Sequence, residues 1–155
     1  MPKVLKLLLS ITICELVGIT GSIFTINAIP TWYSTLQKPS FSPPNWLFGP
    51  VWTLLYLLMG ISIYLILTSK AKNKKQAVNV FALQLVLNFL WTPVFFGLRN
   101  PLLGLIIIIA LWLSIILTIK QFLKIKRWAG YLLIPYLAWV SFASVLNLSI
   151  YLLNK

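Results

Sequence analysis

The sequence predicts an all-α integral membrane protein, a bundle of five transmembrane helices. Hydrophobic residues make up 60% of its 155 positions and charged ones only 9%, with a mean hydropathy of +0.95. A soluble domain of this length has too little interior to hide that much apolar surface, whereas lipid accommodates it. Five apolar stretches each approach the roughly 20 residues that a bilayer core demands. The basic residues fall in short clusters between those stretches.

Composition also narrows the function classes. A net charge of +12 would suit nucleic acid if the cations formed a stripe on one face, but here they sit between spans. That arrangement reads as topology signals and contacts to anionic lipid headgroups, so no nucleic-acid partner is expected. The chain has no His, one acid and one cysteine, Cys14. The commonest general base and metal ligand is therefore missing, and no metal site and no required cofactor are expected.

In chain order, the first helix is expected over residues 7–29. Its basic start resembles a signal peptide, but the apolar run continues without a small-residue cleavage site, so it reads as an uncleaved span. Residues 30–45 hold Pro30, Pro39, Pro43 and Pro44 among Trp32, Tyr33 and Phe41. The prolines deny this loop regular helix and the aromatics favour the membrane interface, giving a lid over the bundle or an interfacial anchor. Further helices are expected at 46–68, 78–98, 102–119 and 129–153, with only Arg99, Asn100 and Pro101 turning the third into the fourth. All belong to one domain, residues 1–155.

Orientation follows from the basic residues. Lys3, Lys6, Lys70, Lys72, Lys74, Lys75, Lys120, Lys124, Lys126 and Arg127 share one side, and Lys38, Arg99 and Lys155 the other. The crowded side is the cytoplasmic one by the positive-inside rule, which places the N-terminus inside and the C-terminus outside.

Three helices carry aromatic stripes. The second has Phe48, Trp52, Tyr56 and Gly60 at steps of four. The third has Phe81, Gln84, Asn88, Trp91 and Phe95, and the fifth Tyr136, Trp139, Ala143 and Asn147, at steps of three and four. Each set lies on one helix face. Amides are costly against lipid, so Gln84, Asn88 and Asn147 should point inward. Such faces suit a large flat apolar ligand with polar edges. The competing account is plain packing, with the amides serving as interhelical bonds of about 0.6 kcal/mol each. Large aromatic faces, however, interlock poorly where helix contacts in lipid usually rely on Gly, Ala and Ser.

Glu15, the single acid, lies near the middle of the first helix and shares a face with Thr12, Gly18 and Ser22. An intramembrane acid is a functional candidate, the alternative being a neutral Glu bonded across helices. Pro93 and Pro135 fall inside spans, where each frees a carbonyl and bends the axis. Leu148, Tyr151 and Lys155 satisfy the loose sterol-contact pattern, which matches often by chance.

The motifs Trp32-Tyr33, Leu36, Lys38-Pro39, Pro43-Pro44, Val51-Trp52, Leu55-Tyr56 and Met59-Gly60, then Asn88, Trp91 and Phe95-Phe96, then Pro135-Tyr136, Trp139, Phe142-Ala143 and Leu146-Asn147 run in order through most of the chain. In sequence and spacing they resemble the TspO/MBR family, to which the mitochondrial translocator protein belongs. The resemblance implies a five-helix protein, usually a homodimer, that binds protoporphyrin IX in a pocket open to the first loop. Sterols and benzodiazepine-type ligands bind family members too, and bacterial members are associated with light-dependent porphyrin degradation through pocket tryptophans. By motif position those correspond to Trp52 and Trp139, the candidate photochemical relay. Two departures stand out: the Tyr of the family's sterol motif is Leu148 here, and the small-residue pattern credited with dimer contact on the third helix is missing.

Stripes and resemblance together give an expected ligand-binding set of Trp32, Tyr33, Trp52, Tyr56, Gln84, Asn88, Trp91, Trp139, Phe142, Ala143 and Asn147. The expected function is tetrapyrrole binding for sequestration, transport or light-dependent degradation, with lipid and sterol as further partners, in a bacterial cytoplasmic membrane. Lys38 could meet a porphyrin carboxylate. The alternatives are a sterol- or lipid-binding regulator and a small-solute transporter; the chain shows no inverted repeat and no visibly broken helix, which counts against transport.

Overall fold

The computed structural model describes residues 2–155 and contains five helices long and apolar enough to cross a membrane. They are α1 (Lys3–Ala28), α2 (Phe48–Leu67, entered through a 3-10 turn at Asn45–Leu47), α3 (Lys74–Thr92, extended by a π-helical turn at Pro93–Gly97), α4 (Pro101–Ile125), and a fifth span divided into α5 (Arg127–Tyr131) and α6 (Ile134–Leu153). The helical membrane architecture expected from composition is the one observed.

The departures are local and have local causes. α4 continues past residue 119 because its buried period, Ile115, Ile119 and Phe122, runs on beneath the exposed Lys120 and Lys124. Those long side chains lie along the helix while keeping their charge outward. Phe122 ends the run stacked on Phe81 of α3, with ring centroids 5.8 Å apart.

The fifth span is interrupted rather than continuous. Pro135 has no N–H for the carbonyl of Tyr131, and the chain turns through Leu133 N–H to Gly130 O at 3.1 Å before α6 begins. The hydroxyl of Ser62 in α2 donates to the carbonyl of Ala129 at 2.6 Å and ties α5 down. The expectation of an unbroken fifth helix from residue 129 is thus corrected.

Pro93 acts differently. It widens the end of α3 into the π turn, closed by Leu98 N–H to Pro93 O at 2.8 Å. Arg99 then takes a left-handed conformation (φ 54°), which reverses the chain. Asn100 caps α4 by accepting from Leu103 N–H at 3.0 Å, with Pro101 in the first turn, where its missing donor costs nothing.

α1 packs mainly on α2, and glycine sets the distance. A Cβ on Gly60 would lie 2.5 Å from Ile11 Cα, so the two backbones touch there. The half of the bundle nearest the loops at 68–73 and 125–127 is solid: Met59, Ile66, Ala77, Phe122, Ala129 and Tyr136 are each completely buried. Lipid-level hydrophobics such as Leu8, Ile23, Ile106 and Leu117 remain exposed on the outside, as a bilayer-facing surface requires.

Candidate functional site: an aromatic cavity between the helices

The other half of the bundle encloses a cavity of about 430 Å³. Its floor is a hydrogen-bonded chain across three helices. The Tyr56 hydroxyl donates to Asn88 Oδ1 at 2.5 Å, Asn88 Nδ2 donates to the Tyr136 hydroxyl at 2.8 Å, and that hydroxyl donates to Gln84 Oε1 at 2.9 Å. Gln84 Nε2 points to the sulfur of Met59 at 3.9 Å. All four polar residues are buried, and in a medium without water each must be partnered. Tyr136 and Gln84 lie under the floor, whereas Tyr56 and Asn88 reach the cavity.

The walls are aromatic on three sides. Trp52 stacks on Tyr56 with centroids 5.6 Å apart at 30°, and Trp91 stacks on Phe95 at 5.2 Å and 23°. Trp139 lies edge-on to Phe48 at 6.0 Å. Trp91 is fixed by its indole N–H, which donates to Asn147 Oδ1 at 3.1 Å; Asn147 Nδ2 in turn donates to the carbonyl of Pro101 at 2.8 Å. Trp139 Nε1 is buried and has no hydrogen-bond partner among the described residues.

The fourth side is α1, whose small-residue face leaves the space open. Glu15, Gly18, Gly21 and Ser22 all line the cavity. Gly18 lies against the ring of Tyr56 so closely that a Cβ would overlap it, and Gly21 faces Thr92. Both glycines are therefore spent on contacts within the protomer.

The 30–45 loop closes one end. Tyr33 is buried (3% exposed) and reaches the cavity, as does Asn45. Burial pushes the Tyr33 phenol above its ordinary pKa, against a smaller downward pull from the Ser42 side chain. Lys38 curls back over Tyr33, donating to its carbonyl at 2.8 Å and to that of Leu36 at 3.1 Å, with the ammonium 4.8 Å from the ring centroid. The loop is also clamped to the end of α6, where Asn154 accepts from Gln37 N–H and donates to Gln37 O, both at 2.9 Å.

Of the residues expected to bind ligand, Tyr33, Trp52, Tyr56, Asn88, Trp91, Trp139, Ala143 and Asn147 are on the cavity wall, and Trp32, Gln84 and Phe142 are not. Trp32 packs edge-on to Phe95 and Phe96 behind the wall. Gln84 is taken by Tyr136 below the floor. Phe142 lies beyond Trp139, in an apolar groove with Val51, Leu54, Pro135 and Ala138 on the outer face, and meets Phe41 of the loop. Lys38, expected to meet a carboxylate, has its ammonium engaged by the loop itself. Sequence reasoning missed Ile108 and Leu111 of α4, which also line the cavity; a helix carrying almost only aliphatics there offers no signal for which of them face inward.

Comparison with known proteins fits this arrangement. The family model described as TspO/MBR matches residues 10–153. A "Tryptophan-rich protein TspO" from Archaeoglobus fulgidus is 50% identical over 152 residues, covering 98% of this chain and 99% of that one. The protein of the same name from Chlorobaculum tepidum is 46% identical over 154 residues, with 98% of each chain covered. Human "Translocator protein" is 37% identical over 130 residues, 82% of this chain and 77% of its own. With a family match over nearly its whole length and relatives of this identity, the five-span chain built around the Trp52–Trp91–Trp139 cavity belongs to the TspO/MBR family.

Proposed function

We propose that the cavity binds tetrapyrroles, with protoporphyrin IX as the reference ligand, to sequester, move or photochemically dispose of them. The observation that carries this reading is the wall itself: Trp52, Trp91 and Trp139 come from three different helices and converge on one space of about 430 Å³. That volume falls in the range of small-molecule sites, and flat indole faces favour a flat conjugated guest. The two amides on the wall act as scaffolding in this reading. Asn88 and Asn147 hold aromatic rings in place and have committed their polar ends to Tyr56, Tyr136, Trp91 and Pro101. Trp139 Nε1 is the one unpartnered buried side-chain donor among the described residues, but because it is buried, the ring would have to turn to offer it to a ligand's polar edge. The resemblance that suggested porphyrin also suggests a homodimer, and the distribution of Lys and Arg suggests a bacterial cytoplasmic membrane with the N-terminus inside; both are part of the proposal.

The test is a titration of the purified protein with protoporphyrin IX, followed by tryptophan quenching in darkness. Saturable quenching that is lost in Trp139→Ala supports the reading. Quenching that stays linear, as collision with free porphyrin would give, removes it.

A second reading, a lipid- or sterol-binding regulator, is favoured by one observation. The outer groove between α2 and α6, walled by Val51, Leu54, Leu55, Pro135 and Phe142, is apolar throughout and borders Trp139. Co-purified lipid that survives delipidation in wild type but is lost in Leu54→Trp would support that use of the groove.

A further inference from the structure

We propose that Glu15 recognises a protonated nitrogen on an aromatic body, so that the cavity is also a site for organic cations. Glu15 is the only acid of the chain, lies at mid-span in α1 and lines the cavity. Among the described residues no Lys or Arg pairs with it. Every Lys and Arg is at a helix end or in a loop, and Lys6, on the same helix nine residues earlier, lies about 13–14 Å away along the axis at 1.5 Å per residue.

Carboxyl groups at membrane depth are costly and normally face a partner or a functional path. The amides and phenols of the cavity are bonded to each other: Tyr56 to Asn88, Asn88 to Tyr136, and Tyr136 to Gln84, while Trp91 is bonded to Asn147. Glu15 is the one acid facing the cavity.

Its surroundings specify which partner would suit. Gly18 is one turn further along the same face, and the Cδ2–Cε2 edge of the Tyr56 ring lies closest to it. Tyr56 is stacked with Trp52, and Glu15 lines the same cavity as this aromatic pair. Aromatic faces attract cations most strongly where water is excluded, and a carboxylate paired with an ammonium there leaves the site with no net charge to desolvate. Ring stacking would hold the aromatic body while its cationic N–H meets Glu15. This site does not depend on the tetrapyrrole reading, whose own probe carries no amine.

The experiment uses a matched pair of planar probes, 9-aminoacridine, protonated at neutral pH, and acridine, its uncharged counterpart. Binding to the full-length protein in neutral detergent is followed by tryptophan quenching. Wild type should bind the cation at least tenfold more tightly than the neutral probe. Glu15→Gln, which keeps size and hydrogen bonding, should abolish that preference while leaving acridine affinity within twofold. Glu15→Asp should keep part of it. Acridine affinity doubles as a check that the cavity is intact. Equal affinity of wild type for the two probes overturns the proposal, whatever the variants do, and so does a preference that survives in Glu15→Gln.

Discussion

The Tyr136 hydroxyl of α6 accepts a hydrogen bond from Asn88 Nδ2 of α3 at 2.8 Å, and from there the chain of bonds runs on to Gln84. One phenol thus satisfies two amides on successive turns of a neighbouring helix. Tyr136→Phe keeps the ring but leaves both amides short of a partner. It should lower stability by about 1–2 kcal/mol, between the modest average for bonds in membranes and the full penalty of an unmet buried group. A fall in the thermal midpoint, with porphyrin stoichiometry unchanged, is the expected result. An unchanged midpoint would mean that the floor is not fixed by this chain.

Helix spacing supplies a second prediction. At Gly60 any side chain meets the backbone of Ile11, whereas a Cβ on Gly49 would meet nothing within 4 Å. Gly60→Val must push α1 away from α2 and should cost about 1–3 kcal/mol or more by overpacking. Gly49→Ala should be neutral or slightly stabilising. Thermal unfolding of the two variants side by side checks the contrast, and equal midpoints would count against the close contact.

Ligand binding on the proposed reading depends on Trp139 more than on tryptophan content. Trp139→Ala removes wall area and the uncommitted indole N–H, and should weaken protoporphyrin IX binding by about 1–3 kcal/mol. Trp112 is the control: it lies between α4 and α6, bonded to Ser141 Oγ at 2.8 Å, and takes no part in the cavity wall. Asn88→Ala should weaken binding too, now through release of Tyr56 and Tyr136 rather than loss of a direct contact. Quenching titrations of the three variants separate these cases, and an equal loss in all of them would point to general destabilisation.

The stripes were legible in sequence, but where each changes role was not. Trp52, Asn88 and Trp139 share a face with Gly60, Phe81 and Tyr136, yet the first three reach the cavity while the last three are packed solid. Helical periodicity gives the face of a residue and is silent about its depth along the bundle. Depth is decided by the partner helix: α1 brings Ile11 against Gly60 but presents the smaller Gly18, Gly21 and Ser22, among others, higher up. Lys38 and Gln84 were misread for a related reason. A long polar side chain at the right position can turn to a carbonyl or hydroxyl of its own fold, and nothing in the spacing announces that it will. The two prolines were legible as interruptions, but their outcomes differ because one lies at the end of α3 and the other near the start of α6.

Topology is tested separately from binding. With the basic residues concentrated at the α1 start and the 70–75 and 120–127 regions, the C-terminus should face away from the cytoplasm. A reporter active only outside the cytoplasm, fused after Lys155, should report activity. A reporter active only inside should be silent there. The reverse pattern would invert the proposed orientation and move the 30–45 loop to the cytoplasmic side.

Light-driven chemistry is the sharpest discriminator between a binder and an enzyme. The chain has no His and a single acid, so proton-transfer catalysis has few groups to work with. Indole, by contrast, is abundant on the cavity wall and is the most electron-rich side chain available. A photoexcited porphyrin held against Trp52 or Trp139 would take an electron from the indole and pass it to dioxygen. The indole radical would be refilled by an electron from the porphyrin, so that the porphyrin is oxidised and dioxygen reduced; turnover should therefore require both light and oxygen. Trp52 stacks on Tyr56 at 5.6 Å, and a phenyl ring can keep that stack. Trp52→Phe should therefore retain most of the binding yet slow light-dependent loss of porphyrin at least tenfold. Porphyrin absorbance is followed under the lamp and in darkness for wild type, Trp52→Phe and porphyrin alone, with and without oxygen. If wild type bleaches porphyrin no differently from the protein-free sample, the cavity binds or carries its guest without transforming it.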